Sequence, residues 1–283
     1  MRVTKPVRLI HALAVPAMLA CASLAAALGQ VEGSALTRPE MEDFLLNAEV
    51  VSQSDLSVGI TGSQRATLTD GKFTHDAHIQ TIDETKLTFE GSRGVELNFR
   101  DSYKFNIAAY RLDRLLGLDM VPASVERRVN RKSAALTWWV DDVRMMDLDR
   151  HRNNVEIPAE KTRQWNDQMH QTWVFNELVY NTDANLGNLL ITNDWKLWMI
   201  DFTRAFRTHQ TLQVPEKLAR IDRRLLNGLR SLNTDMLTAE LGRYLTGTQI
   251  RAILARRDGI VQFFEQQISK EGEAAVVCDE PGH

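Results

Sequence analysis

The chain has 283 residues, of which 43% are hydrophobic and 25% charged, as in an ordinary globular protein. This composition excludes an intrinsically disordered chain, and the length is sufficient for a domain of two lobes. The formal net charge of −3, without long Lys or Arg runs, gives no electrostatic signature of nucleic-acid binding. We therefore expect no nucleic-acid partner.

The N-terminal segment differs in composition from the rest of the chain. Arg2, Lys5 and Arg8 precede an almost wholly apolar run from Leu9 to Leu28. This pattern is typical of a secretory signal peptide, so residues 1–29 are predicted to direct export to the periplasm or the cell exterior. An uncleaved membrane anchor is the alternative, because the run approaches the length of a bilayer-spanning helix. That anchor would be the only membrane contact that we expect.

A first lobe is predicted over residues 37–146. Hydrophobic periodicity predicts a short helix over residues 37–48, strands over 57–83 and 95–99, and a helix over 103–116 that ends at Gly117. Residues 84–93 are predicted to be a polar excursion between strands. The first strands contain Gly59 and Gly62 beside Ser and Thr residues. Backbone N–H groups in such a turn can hold nucleotide phosphates, although the same residues also form ordinary hairpin turns.

The stretch 172–206 concentrates polar residues within an apolar background. The helical spacing of its apolar residues predicts a buried helix that ends near Asn181. A turn over residues 181–188 follows, and a hairpin of two short strands over residues 189–200 leads to Asp201. The sequence thus predicts a helix, a polar loop and a hairpin that ends at an acid.

Two carboxylates and an amide in this stretch suit phosphoryl transfer. In that chemistry one carboxylate orients the acceptor, while an amide oxygen and a second carboxylate hold a divalent metal on the triphosphate. Asp183, Asn188 and Asp201 provide these groups in that order. The alternative is a surface hairpin loop whose Asn, Asp and Gly residues only form the turn.

The segments NTDANLGN, residues 181–188, and IDFTRAF, residues 200–206, resemble the catalytic loop and metal-binding segment of the atypical kinases. These include the HipA-type kinases, the phosphatidylinositol 3- and 4-kinases and the Golgi casein kinase family. The resemblance implies an α+β, two-lobed kinase-like fold that binds ATP with Mg²⁺ or Mn²⁺. It also implies that Asp183 is the catalytic acid/base and that Asn188 and Asp201 are metal ligands.

A second stretch, residues 103–125, resembles the regulatory helix and the following strand of the same kinases. Two positions depart from the family pattern. Gln80 stands where a strand lysine contacts the nucleotide phosphates, and Asn106 stands where the helix carries the glutamate partner of that lysine. Because the lysine and the glutamate are both replaced, neither charge is left buried without its partner. Lys104 and Arg100 are the predicted substitute cations, although single basic residues are commonly only solvated.

The β-rich run over residues 133–140 is predicted to be the last strand of the first lobe. The hinge between the lobes would follow it, so adenine would bond to backbone groups near Trp139 and Val140. The tryptophans of this run fit a place in the core equally well. The second lobe is predicted over residues 147–270, with a helix over 215–232, and residues 271–283 are predicted to be a disordered tail.

These observations favour an exported kinase-like protein that binds ATP and a divalent metal. Its phosphate acceptor is a protein, a lipid or a small molecule that the sequence does not specify. The uncharged Gln80 and Asn106 favour an alternative, a pseudokinase-like module that binds a nucleotide or a partner without phosphotransfer. A metal-dependent hydrolase built on Asp183 and Asp201 is a third alternative. No histidine or third carboxylate joins those two residues at a useful spacing.

Overall fold

The computed structural model describes residues 36–56, 63–91 and 94–279. The predictions for residues 1–29 and for Gly59 and Gly62 therefore fall outside the described residues. The first lobe runs in chain order through α1 (Arg38–Asn47), β1 (Glu49–Asp55), β2 (Gln64–Thr69), β3 (Thr74–Gln80), β4 (Asp83–Gly91), β5 (Gly94–Ser102), α2 (Lys104–Leu116), β6 (Ser124–Val129) and β7 (Lys132–Trp138).

A five-stranded antiparallel sheet with the strand order β1-β2-β3-β7-β6 forms the base of the first lobe. Alternate residues of the inner strands face the core, as Ala77 and Ile79 of β3 show with exposures of 0% and 1%. Helix α2 packs against β6 and β7, and most of its residues are buried, including Phe105 and Ile107. Gly117 ends the helix in the left-handed conformation, as the sequence predicts.

Strands β4 and β5 form a separate two-stranded antiparallel hairpin between β3 and α2. The prediction of a polar excursion over residues 84–93 is therefore wrong for β4. Leu87 and Leu97 of this β4–β5 hairpin are 84% and 69% exposed. Because few of its side chains are buried, the hairpin lacks the alternation of apolar and polar residues that marks a half-buried strand.

The second lobe contains β8 (Val143–Met146), α3 (Asp147–Arg152), α4 (Thr162–Val179), β9 (Leu189–Thr192), β10 (Leu197–Met199), β11 (Ile221–Asp222), α5 (Arg223–Ser231), α6 (Thr234–Leu241), α7 (Gly247–Glu271), α8 (Glu273–Val276) and β12 (Val277–Cys278). Helix α4 and the β9–β10 hairpin confirm the helix and hairpin predicted around the polar loop. Strand β8 pairs with β9, so it belongs to this lobe. The boundary therefore lies at residues 139–142, before the predicted position at 146.

Two predictions for the second lobe are wrong. The predicted helix over 215–232 begins only at Arg223, because Ile221 and Asp222 pair as a strand with β12 and the Asp222 carboxylate caps the helix by accepting from the N–H groups of Arg224 and Leu225. The prediction of a disordered tail from residue 271 is wrong for residues 271–278. Strand β12 pairs in parallel with β11, and Cys278 is buried.

None of the described helices is both long and apolar enough to cross a membrane. The two lobes together give the α+β, two-lobed architecture that the sequence predicts, with a sheet-based first part and a mainly helical second part.

Candidate active site

A cavity of about 380 Å³ lies between the lobes, and we call it the hinge cavity. Its volume is in the range of small-molecule sites, which are mostly apolar with a few polar groups. The described residues that line it are His78, Asn106, Val121, Pro122, Ser124, Thr137, Trp138, Trp139, Val140, Val143, Met145, Met146, Asp149, Leu190, Met199, Ile200, Asp201 and Phe202.

The hinge supplies two of the predicted nucleotide residues, Trp139 and Val140, to the wall of the hinge cavity. Trp139 is fixed by its N–H, which donates to the carbonyl of Asp76 at 3.1 Å, and by the Arg65 guanidinium 4.3 Å from its ring centroid. His78 of β3 adds an imidazole, and burial lowers its pKa to about 4. The imidazole is therefore neutral near pH 7, and this wall can pack against an uncharged aromatic base.

Asp201 lies at the polar end of the hinge cavity with its backbone in the left-handed region, at φ 56°. The Thr203 hydroxyl donates to Asp201 Oδ1 at 2.9 Å and orients the carboxylate. The N–H of the neighbouring Ile200 donates to the carbonyl of Asn188 at 3.0 Å. This backbone bond brings the two predicted metal ligands, Asn188 and Asp201, to adjacent positions.

The polar loop that carries Asp183 is organised by its asparagines. Asn181 Oδ1 accepts a hydrogen bond from the N–H of Asp183 at 3.0 Å. The side-chain amides of Asn185 and Asn188 donate to the carbonyl of Asp183 at 2.9 and 3.1 Å. Because this bond uses the amide nitrogen of Asn188, its amide oxygen is the atom that can face a cation. The loop thus fixes one carboxylate and orients one amide oxygen.

Asp183 itself lines a second, larger cavity of about 920 Å³, which we call the Asp183 cavity. The β4–β5 hairpin forms one side of this cavity, and the segment after Asp201 forms another. Three arginines, Arg100, Arg204 and Arg207, line it together with Asp183. Of the predicted cofactor-binding residues that the structure describes, only Arg100 is among its lining residues.

Two predicted cofactor-binding residues line neither cavity among the described residues. Gln80 is 2% exposed; its amide donates to the Ser63 hydroxyl, and its oxygen accepts from the N–H of Thr81 at 3.0 Å. Lys104 forms an ion pair with Asp83 at 2.8 Å. Gln80, at the position of the strand lysine, and Lys104, its predicted substitute, therefore lie outside both cavities. Asn106 lines the hinge cavity.

Several polar residues of the two cavities are absent from the prediction. His78 and Asp149 line the hinge cavity, and Arg204 and Arg207 line the Asp183 cavity. The two arginines follow Asp201 within six residues, so their proximity to a predicted metal ligand is a signal in the sequence. His78 lies two residues before Gln80, on the same face of β3, which is a signal of the same kind.

The oxygen donors of Asn188 and Asp201 suit a hard cation such as Mg²⁺, which protein sites commonly bind through one or two carboxylates together with substrate phosphates. Among the described residues, no three His, Cys, Asp or Glu side chains cluster as a protein-only metal centre would require. A cation held here would therefore need further oxygen ligands from water or a phosphate-bearing substrate.

The fold has counterparts among solved structures. A hydra Fam20 protein determined with sugar superposes with a TM-score of 0.61 at 15% sequence identity, over 86% of this chain and 93% of that one. The chain has an atypical kinase-like fold. A Golgi casein kinase determined with Mn and ADP bound gives a TM-score of 0.59 at 12% identity, over 87% and 80% of the two chains. No family model and no curated protein matches the sequence.

Proposed function

We propose that the chain is an ATP-dependent phosphotransferase that uses Mg²⁺ or Mn²⁺. The observation that carries this proposal is the backbone bond from the Ile200 N–H to the Asn188 carbonyl, which brings Asn188 next to the residue that precedes Asp201. The kinase-like fold supports it, and the Mn and ADP bound to the Golgi casein kinase are the ligands of a protein with the same fold.

In this proposal the hinge cavity binds the adenine of ATP between the walls formed by Trp139, Val140 and His78. Asn188 and Asp201 would hold the cation, which would supply positive charge to the phosphates. Asp183 accepts the proton of the acceptor hydroxyl and orients its oxygen toward the γ-phosphorus. The new P–O bond forms to that oxygen, the bond to the β–γ bridging oxygen breaks, and ADP leaves.

The alternative, a binding module without transfer, has one specific observation in its favour. Gln80 and Asn106 replace the charged pair expected in the family, and both side chains are hydrogen-bonded within the protein. Neither side chain supplies a positive charge to the phosphates of a nucleotide. Such a module would retain the hinge cavity but would not catalyse phosphoryl transfer.

Export is proposed from residues 1–29 alone, because their basic start and apolar run are typical of a signal peptide. A reporter enzyme fused after Gly29 should appear outside the cytoplasm. A reporter that stays in the cytosol would remove the export proposal without affecting the kinase proposal.

The deciding experiment compares the full chain with Asp183→Asn and with Asp258→Asn, a control at a position whose side chain is 70% exposed on α7. ATP labelled at the γ-phosphate is supplied with Mg²⁺ or Mn²⁺, and transfer to the chain itself and to small-molecule, peptide and lipid pools is measured. We expect Asp183→Asn to lower transfer at least about a hundredfold, as loss of a general base does. Affinity for ADP should stay within a few-fold.

The control variant should transfer at the wild-type rate. If the wild type binds ADP with metal yet transfers no more label than Asp183→Asn in every pool, the binding module is the better account. If nucleotide does not bind in the presence of either metal, the kinase proposal fails, and of the alternative only a module that binds a partner remains.

A further inference from the structure

The Asp183 cavity has a positively charged wall that the proposed nucleotide site does not use. Arg100, Arg204 and Arg207 line it from the β4–β5 hairpin and from the segment after Asp201. Burial lowers the pKa of Arg207, and the positive charges of Arg204 and Arg100 lower it further. The Arg207 guanidinium is therefore close enough to those of Arg204 and Arg100 to be affected by their charges.

Two of these arginines already have carboxylate partners. Arg207 pairs with Glu96 at 2.6 Å, and its side chain is only 8% exposed. Arg204 pairs with Asp101 at 3.3 Å, where the Asp101 side chain is 4% exposed. These two pairs join the β4–β5 hairpin to the segment after Asp201, so a structural role accounts for both arginines.

Arg100 differs from the other two. Among the described residues, no carboxylate oxygen lies within the 4.0 Å ion-pair distance of its guanidinium. The nearby carboxylate of Asp83 is already paired with Lys104 at 2.8 Å. The Arg100 guanidinium lies over the Phe105 ring, 5.4 Å from its centroid, and the Arg100 carbonyl accepts from Arg207 Nη1 at 2.7 Å. The carbonyl of Arg100 is thus hydrogen-bonded, while its charge lies against an aromatic ring and has no carboxylate partner in the part of the chain that the structure describes.

The cavity that holds this charge has the size of a small-molecule site, at about 920 Å³. Its wall also includes uncharged polar side chains such as Thr85, Asn98 and Gln213, which can bind hydroxyl groups. Arginine pairs with carboxylates and phosphates through two parallel hydrogen bonds, which fixes the orientation of the bound group.

We infer that the Asp183 cavity binds a small hydroxyl compound that carries a carboxylate or a phosphate group, and that Arg100 binds this anionic group. The hydroxyl of the same compound then lies at Asp183 and receives the phosphoryl group. This inference rests on the proposed function for the transfer step, but not for the binding of the anion. It assigns Arg100 to the acceptor instead of the nucleotide.

The experiment measures binding of four probes to the full chain by calorimetry, without nucleotide. The probes are glycerate, glycerol 1-phosphate, glycerol as the neutral analogue, and an acidic peptide that contains serine. The variants are Arg100→Gln, Arg100→Lys and the control Arg230→Gln, whose residue is paired with Glu265 and lines neither cavity among the described residues.

At least one of the small anions should bind, and glycerol should bind at least about tenfold more weakly, because it lacks the charge-assisted hydrogen bonds. Arg100→Gln should weaken anion binding about tenfold or more, Arg100→Lys should weaken it less, and Arg230→Gln should leave it unchanged. The preference between glycerate and glycerol 1-phosphate identifies the anionic group.

Three outcomes overturn the inference. One is anion binding that is equal in the wild type and both Arg100 variants. Another is binding of the acidic peptide alone, which would make the acceptor a protein. The third is a loss of affinity for ADP with Mn²⁺ in Arg100→Lys or Arg100→Gln that is as large as the loss of affinity for the anion. That result would show that Arg100 binds the nucleotide. Arg100-dependent anion binding without any nucleotide binding would contradict the kinase proposal alone.

Discussion

The side-chain oxygen of Asn106 accepts a hydrogen bond from the backbone N–H of Phe202 at 2.7 Å. This bond ties helix α2 of the first lobe to the residue that follows Asp201. In the families that the sequence resembles, a glutamate stands at this helix position and pairs with a strand lysine. Here the amide instead fixes the backbone beside a proposed metal ligand.

Asn106→Leu should therefore destabilise the protein, because it leaves the buried N–H of Phe202 without an acceptor. We expect a loss of about 1–3 kcal/mol in the free energy of unfolding, measured by urea denaturation. Asn227→Leu, on an exposed turn of α5, is the matched control and should change stability much less. A variant as stable as the wild type would show that this bond does not hold the segment.

Metal dependence is predicted for nucleotide binding. ADP should raise the thermal unfolding temperature of the full chain only when Mg²⁺ or Mn²⁺ is present, because the ligand stabilises the folded state that binds it. Asp201→Asn should abolish this shift, since the amide replaces a charged ligand. The Asp258→Asn control should keep the shift. A metal-dependent shift that persists in Asp201→Asn would show that Asp201 is not a metal ligand.

The buried carboxyl group of Asp113 should make the stability of the folded protein depend on pH. Its carboxylate is 1% exposed and accepts from the N–H groups of Met120 and Val121 at 3.0 and 3.2 Å. Burial raises the pKa of Asp113 to about 7. Because the folded pKa lies above that of the unfolded chain, the folded state keeps a proton that the unfolded state releases. Stability from this group is complete below about pH 4 and is lost as the pH rises to about 7.

Asp113→Asn retains an oxygen acceptor and removes the titration. The difference in unfolding free energy between variant and wild type should therefore shift in favour of the variant between pH 4 and 7. The expected change is about 1.4 kcal/mol for each unit of pKa difference. Urea denaturation at several pH values measures it, with the exposed Asp235→Asn as control. A pH-independent difference would contradict the raised pKa.

Arg256 of α7 is fully buried and holds three carbonyls at the end of α4 and in the segment after Asp201. It donates to Leu178 at 2.8 Å and to Arg207 at 3.0 Å, and it also donates to His209. Arg256→Met should lower the free energy of unfolding by about 3 kcal/mol or more, because these carbonyls lose their donor. Arg251→Met, exposed on the same helix, should be nearly neutral. Equal stability of the two variants would contradict this role.

The elements around Asp183 could be predicted because their signals are local. The periodic apolar residues of α4 and α2 fix helices, and the polar turn between α4 and β9 stands out against them. The resemblance to atypical kinases rests on these same stretches, and the fold confirms it.

The other features of the fold and the site could not be predicted, because they depend on contacts between residues that are distant in sequence. Helical periodicity before Arg223 is overridden by the pairing of Ile221 and Asp222 with Val277 and Cys278, which lie near the C-terminus. The pairing of β12 with β11 buries a two-residue strand too short to show a period. Lys104 has the right charge for a phosphate contact, but its partner, Asp83, could be identified only from the structure.

The junction between the β4–β5 hairpin and the segment after Asp201 bears on the order of folding. The Arg204–Asp101 pair and the bond from Arg207 to the Arg100 carbonyl join residues 103 and 107 positions apart. Contacts of such separation form late, because a long loop must close before they stabilise the chain. During synthesis, the wall of the Asp183 cavity therefore forms only after Arg207 has left the ribosome. A nascent chain that ends before this residue cannot assemble the cavity.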